Sequence, residues 1–220
     1  MIWKRTRQSY KNKQDPKARE IKQADLEMLK LAAAVGEIEL KYLDESGFCM
    51  WSQVRYTYFP RGQQKRLEQT RRRGRKLSIL GLIQPLVSFV YGLAVGSFTS
   101  KSYLKMMEEQ AQQASKHLAQ TGCITVIVQD NGPIHTSSSV RQRWHEWQEK
   151  GLYIFFLPKY CSEMNPIELE WQHLKADELA GQMFEDELDL AYAVIDGVEA
   201  RGQKGKYITQ RFKFNSVSSP

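Results

Sequence analysis

Ile124-Thr125-Val126-Ile127-Val128-Gln129-Asp130-Asn131-Gly132 is the stretch on which the fold turns. The apolar and β-branched residues from Ile124 to Val128 form a run too short for an ordinary helix. They suit a strand in mid-sheet, covered on both faces. The run ends on an acid and a turn sequence, Asp130-Asn131-Gly132. Before it, Ser102 to Gln120 places Leu104, Met107, Ala111, Ala114 and Leu118 at helical steps. After it, Ser137 to Lys150 carries Val140, Trp144 and Trp147 on one helical side, and Tyr153 to Leu157 reads as a second buried strand. Helix alternating with apolar strand implies parallel strands with helices on both faces.

Working outward, the amino-terminal half has a different rhythm. Asp15-Pro16 is a cap and first-turn pair, opening a helix over Lys17 to Val35. Ile38, Leu40 and Tyr42 alternate with charged residues, a strand expected to stop at Asp44-Glu45-Ser46-Gly47. Phe48 to Tyr58 reads as a second strand and Leu77 to Ile83 as a third. Toward the carboxyl end, Asn165-Pro166 opens a helix to about Leu179, and Glu185 to Arg201 forms the last one. The tail from Gly202 is polar and is expected to fray. The reading is an α/β chain with one mixed sheet: a basic arm and helix over 1–36, the folded body over 37–202, and a flexible tail over 203–220.

At 220 residues, with 41% hydrophobic and 26% charged residues, the chain is ordinary globular protein and not a disordered one. The longest apolar stretch, Leu77 to Val95, is broken by Gln84, Pro85 and Gly92, so no membrane span is expected. The amino terminus lacks a signal core, and three widely separated cysteines (Cys49, Cys123, Cys161) fit reduced thiols, so a cytoplasmic protein is expected. The net charge of +7 is unevenly spread. Residues 1–22 hold eight Lys/Arg against Asp15 and Glu20, and residues 55–76 hold nine against Glu68. Taking those fourteen net charges away leaves the remainder at −7. Two basic segments on an acidic body point to polyanion contact at defined places; charge alone fits a solvated face equally well.

Asp44 and Asp130 both stand where an apolar strand runs out, the position at which open α/β sheets bind ligands. If the two strands are neighbours their carboxylates converge. Like charges in a crevice raise one another's pKa, and a hard divalent cation resolves the conflict. Each Asp by itself also suits a turn.

A third block lies downstream: Leu157-Pro158-Lys159-Tyr160, then Asn165-Pro166-Ile167-Glu168 running to Trp171 and Leu174-Lys175. Together with Leu-Asp-Glu-Ser-Gly at 43–47 and Asp-Asn-Gly-Pro-Ile-His at 130–135, it resembles the catalytic domain of a bacterial insertion-sequence transposase. The branch is that of the DDE superfamily related to the mariner elements. The likeness runs in order from about residue 13 to 200. It departs from the family at Lys159-Tyr160-Cys161-Ser162, where a Pro-Tyr-Ser-Pro series is more usual.

The resemblance implies an RNase H-like fold whose first three strands are antiparallel. It implies Asp44, Asp130 and Glu168 as catalytic acids and ligands of Mg²⁺ or Mn²⁺, two ions in all, with 37 residues between the last two acids. The activity implied is DNA cleavage at element ends followed by strand transfer into target DNA. The alternatives are a non-catalytic DNA-binding or regulatory relative and another RNase H-like nuclease. Asn131 and His135 are candidates to support the acids from behind. With DNA as substrate, phosphate contacts fall to Arg61, Lys65, Arg66, Arg71, Arg72, Arg73, Arg75 and Lys76, and in the arm to Lys4, Arg5, Arg7, Lys11 and Lys13. A homodimer or higher assembly is implied, and a helix-turn-helix domain supplied separately or by frameshifting. Glu45 and Glu170 each neighbour a proposed ligand: strand alternation turns Glu45 away from Asp44, whereas helix geometry leaves Glu170 open. Asn165 as N-cap with Glu168 at the third helical position would also make a capping box, a purely structural use of Glu168.

Overall fold

The computed structural model describes residues 11–52, 60–63, 66 and 74–214. In chain order the helices and strands are α1 (Pro16–Ala34), β1 (Ile38–Phe48), β2 (Leu77–Gln84), β3 (Ser88–Val95), α2 (Ser100–Thr121) and β4 (Ile124–Gln129). There follow α3 (Ser138–Arg141), α4 (Trp144–Glu149), β5 (Leu152–Phe156), α5 (Ile167–His173), α6 (Glu187–Gly205) and β6 (Ile208–Phe212). The six strands form one sheet in the order β5-β4-β1-β2-β3-β6. β1, β2 and β3 are mutually antiparallel, while β4 lies parallel to β1, β5 to β4 and β6 to β3. This is the mixed sheet expected, with its three antiparallel strands first and its parallel strands after them.

Each face of the sheet buries one core. On one side Leu40 and Tyr42 of β1, Ile79 and Ile83 of β2, and Val126 and Val128 of β4 pack against Leu26, Trp171, Leu190 and Val194 of α1, α5 and α6. On the other, Leu43, Leu80, Leu82 and Ile127 meet Tyr103, Met107, Val140 and Trp147 of α2, α3 and α4. The period of two along each strand produces this sorting. Asp44 shares its parity with Leu40 and Tyr42, and Glu45 with Leu43, so the two neighbouring acids leave the strand on opposite sides.

Several expectations are corrected. β1 does not stop at Asp44; it runs on to Phe48 because β2 keeps pairing with it, from Asp44↔Gly81 to Phe48↔Leu77. The strand expected over Phe48–Tyr58 falls largely outside the described residues, and within 49–52 only an isolated bridge, Trp51 to Met183, is present. The third antiparallel strand is instead β3, joined to β2 by a tight turn at Pro85–Val87 in which Leu86 takes a φ of 63°. In the sequence, apolar Ser88–Val95 reads only as part of an interrupted run; in the fold Pro85 marks the turn of a hairpin. The helix expected over 137–150 is two short ones. The helix from 165 is α-helical only to His173 and continues as a π-helix over Leu174–Leu179. The tail does not simply fray: Ile208–Phe212 covers the outer edge of β3 as β6, a pairing that depends on an edge the local sequence does not display. Asp15 caps α1 as expected, its Oδ1 accepting from the backbone N–H of Lys17 and Ala18.

Candidate active site

The parallel register of β1 and β4 runs to Tyr42↔Val128. Two residues further along each chain are Asp44 and Asp130, on the same parity, so adjacent strands deliver the two carboxylates to one end of the sheet. α5 brings the third acid. Asn165, 4% exposed, donates from Nδ2 to the Leu43 carbonyl at 3.0 Å. Trp171, one turn into the helix, donates from its indole Nε1 to Asp44 Oδ2 at 3.0 Å. These two bonds pin the start of α5 against β1 on both sides of Glu168.

The close approach needs a glycine. Gly81 is the β2 partner of Asp44, and a Cβ there would lie 2.5 Å from Trp171 Cη2 and 2.9 Å from the Phe89 ring. Without that atom the indole lies across β2, edge-on to Phe89 at 5.7 Å between ring centroids, and its N–H reaches Asp44.

The electrostatics follow from the crowding. Burial, then the neighbouring Glu168 and Asp130, push the Asp44 carboxyl up to about 7, against the opposing hydrogen bonds from the Glu45 backbone and Trp171. Asp130 moves the other way: His135 Nδ1 lies 2.7 Å from its Oδ1 and holds it below the usual carboxylate range, helped by the Gly132 backbone N–H. Since the carboxylate accepts, Nδ1 carries the proton. His135 is 3% exposed, packs on the Tyr103 ring at 4.8 Å, and has no hydrogen-bond partner at Nε2 among the described residues. That atom faces Glu45 Oε1 at 3.8 Å. Asn131 ties the same loop to β5, donating from Nδ2 to the Leu157 carbonyl at 2.9 Å.

The two neighbouring glutamates are separated by their partners. Glu170 accepts a forked pair from Arg201, 3.1 Å from Nε and 3.4 Å from the second nitrogen, and a bond from the Tyr207 hydroxyl at 3.0 Å. It is committed to joining α5 to α6 and the segment before β6. The capping box is not formed. The Asn165 N–H donates to the Ser162 carbonyl at 2.8 Å, helix α5 starts only at Ile167, and Asn165 Oδ1 takes the Ile167 N–H weakly at 3.4 Å. Glu168 is therefore not consumed by the helix start.

Sequence reasoning missed Asn165 as an anchor, Trp171 as a ligand of Asp44, and Lys175. The ammonium of Lys175 lies over the Phe48 ring at 5.5 Å. Burial pushes it down, Glu168 and Asp44 pull it up, and Lys76 pushes it down further. The only signal for it was the Leu174-Lys175 pair at the end of the third block. Of the basic candidates, Lys4, Arg5, Arg7, Lys65, Arg71, Arg72 and Arg73 lie outside the described residues, as does the Lys11 side chain. Arg61, Arg66 and Lys76 are exposed. Arg75 pairs with Glu187 at 3.6 Å, and Lys13 sits over the Tyr160 ring at 5.7 Å. The base of the arm is clipped to the loop before α5, Gln14 Nε2 donating to the Tyr160 carbonyl at 2.6 Å. Tyr160 takes a left-handed φ of 62° in the stretch that departs from the family pattern.

Chemically the three acids suit a hard divalent cation: all offer carboxylate oxygens, and two of them raise the pKa of the third. Among the described residues no three His, Cys, Asp or Glu side chains converge tightly enough to ligate one ion, so the site is a juxtaposition of carboxylates rather than a formed cage.

A mixed sheet whose first three strands are antiparallel and whose later strands run parallel, with helices on both faces, is the RNase H-like fold. The sequence profile of the DDE superfamily endonuclease family matches residues 39–191, and the chain belongs to that family. No protein of curated function matches. Among solved structures, the mariner Mos1 paired-end complex with Mg aligns at a TM-score of 0.64 and 15% identity, over 94% of this chain and 61% of that one. The Mos1 strand transfer complex gives 0.62 and 15%, with the same coverage. The isolated catalytic domain of Mos1 mariner transposase gives 0.51 and 12%, over 93% and 95%. The chain thus spans about three fifths of the transposase in those complexes and nearly all of its catalytic domain. No helix among the described residues is long and apolar enough to cross a membrane.

Proposed function

We propose that this chain is a transposase catalytic domain that cleaves DNA at the ends of a mobile element and transfers the freed 3′ end into target DNA. The observation that carries the reading is the register: Tyr42↔Val128 sets Asp44 and Asp130 side by side, and the Asn165 and Trp171 bonds bring Glu168 to them. Asp44, Asp130 and Glu168 would hold Mg²⁺ or Mn²⁺, two ions in all. Such ions stabilise the attacking and leaving oxygens of an in-line displacement. Mos1 structures solved with Mg and with Mn support that choice.

The protein's own contribution is positioning and charge. His135 fixes the Asp130 carboxylate through Nδ1, Asn131 holds the loop that carries both, and Trp171 orients Asp44. The basic segments over 1–22 and 55–76 bind the DNA backbone without reading its sequence. The neighbouring paired-end complexes support assembly as a dimer or larger unit, and recognition of the element ends falls to a helix-turn-helix domain supplied in addition.

The test pairs two substitutions in a Mg²⁺-dependent nicking assay on DNA carrying the element ends. Glu168→Gln abolishes nicking by several orders of magnitude with stability near wild type. Glu170→Gln leaves nicking per folded molecule largely intact. Full activity in Glu168→Gln removes Glu168 from the site. A wild-type protein that binds DNA but never nicks it is a regulatory relative, and one that nicks without strand transfer is a different nuclease.

A further inference from the structure

α1 has two apolar faces. On the inner one Leu26 is wholly buried, and Leu29 and Ala33 pack against the core. The other points to solvent: Ile21, Met28, Leu31 and Val35 are each more than half exposed, and Ala24 between them is exposed as well. These residues follow one another at steps of three, four, three and four. A strict alternation of that kind is the spacing of a coiled-coil seam, narrower than the face a helix rests on a globular core. It makes a stripe about 21 Å long. Among the described residues the other long helices have no such stripe. The exposed positions of α2, from Lys101 to Thr121, are polar apart from Ala119, and on α6 the exposed Leu188 and Tyr192 give way to Asp196 and Glu199.

A continuous apolar stripe left in water marks a contact surface, and this one fits a helix of the same spacing. We propose that α1 pairs with α1 of a second copy, antiparallel and about a two-fold axis, in a short two-helix seam. A self-complementary patch across a two-fold axis is the commonest way for soluble chains to dimerise. Direction follows from the acids on the flanks of the stripe. In a parallel pair Glu20 would stand opposite Asp25 of the second copy, a like-charge contact on both sides of the seam. In an antiparallel pair with Met28 over Leu31 of the second copy, Ala24 lies over Val35, and Asp25 and Glu27 face Ala32 and Ala34. Those two acids are matched within their own helix, by Lys22 at 3.8 Å and Lys30 at 2.9 Å. The antiparallel pair also sets the positive start of each helix, with Lys17, toward the negative end of the other. Little ordering is needed, because the core already holds α1 as a helix. The inference deepens the assembly proposed above by naming its surface, and it needs neither DNA nor metal.

Sedimentation equilibrium of the full chain over a dilution series, in EDTA and without DNA, reads the association directly. Wild type should form a dimer. Leu31→Asp should weaken it about a hundredfold or more, because the axis places the change in the interface twice, while near-ultraviolet circular dichroism stays that of the folded chain. Leu188→Asp, at an exposed apolar position of α6 away from the seam, should dimerise as wild type does. Direction is read from a charge pair. Ala34→Glu, at an exposed position, sets an acid against Glu27 of the second copy and should weaken the antiparallel dimer. Adding Glu27→Lys turns that contact into an attraction and should restore it. A parallel seam responds to neither change, and that result overturns the arrangement. A wild type that is monomeric throughout, leaving the stripe to the arm or to another protein, overturns the proposal, as does a dimer that Leu31→Asp does not weaken. A dimer seen only when DNA carrying the element ends is added overturns the seam and leaves the assembly reading standing. Chains that nick and transfer as monomers overturn both.

Discussion

Replacing Asp44 by Asn is expected to stabilise the metal-free protein, and only at the pH where the carboxyl would be charged. The folded carboxyl titrates at about 7 against an ordinary 3.8, with burial the first cause and Glu168 and Asp130 next. Because the folded pKa is raised, the fold favours the protonated acid. That contribution is whole below about pH 4 and is lost as pH rises toward 7. Three units correspond to about 4 kcal/mol as an upper bound. Asp44 is partly open to solvent, which screens the interaction, so about 2 kcal/mol is the better figure. Asn has the same shape, bears no charge, and its carbonyl oxygen can still accept from Trp171. For a chain of this size 2 kcal/mol corresponds to roughly 4–8 °C in Tm. The assay is thermal unfolding in EDTA at pH 5 and pH 8, read as the difference between variant and wild type at each pH. The gain should be full at pH 8 and clearly smaller, though already present, at pH 5, which lies above the unfolded pKa of 3.8, and added Mg²⁺ should raise the Tm of wild type only. A variant that is destabilised equally at both pH values refutes the reasoning, since Asp44 would then be a structural acceptor rather than a strained charge.

Further expectations follow from neighbouring contacts. Gly81→Ala should cost about 1–3 kcal/mol by overpacking and displace Trp171, read as lowered Tm with a shifted tryptophan emission. Glu170→Gln should cost about 1–3 kcal/mol because Arg201, whose side chain is 15% exposed, loses a charged partner; unchanged stability would mean that the pair contributes little. A chain ended after Tyr207 uncovers the β3 edge and should aggregate more readily, which light scattering during refolding would detect.

Asp44 and Asp130 stand out in the sequence because each follows an apolar run that gives way to polar residues, whereas Glu168 is singled out only by the resemblance of the Asn165-Pro166-Ile167-Glu168 block. That β1 runs on past Asp44 to Phe48 is decided by its pairing with β2. The alternation of apolar strand and helix after Ser100 carried the parallel half of the sheet. The antiparallel half was only partly legible. A hairpin turn at Pro85 inside a long apolar run looks like an interruption until β2 and β3 are seen to pair, and the pairing of β6 depends on a vacant edge 120 residues away in the chain. Local pattern reports what a segment prefers; it does not report which edge is open to receive it.

Within the site, the division is between residue type and partner. Strand parity alone turned Glu45 from Asp44. Nothing in Ile167–Trp171 distinguishes Glu168 from Glu170, since both are glutamates flanking one apolar stripe. Arg201 and Tyr207, arriving from α6 and the segment beyond it, take Glu170 and leave Glu168 beside Asp44. Likewise Lys175 and Asp44 are 131 residues apart, and only the fold sets the ammonium near enough to that carboxylate for each to feel the other's charge. The chemistry of each side chain was written locally, but its pKa and its partner depend on what the fold sets within a few ångströms of it, because desolvation and Coulomb interactions act through space and not along the chain.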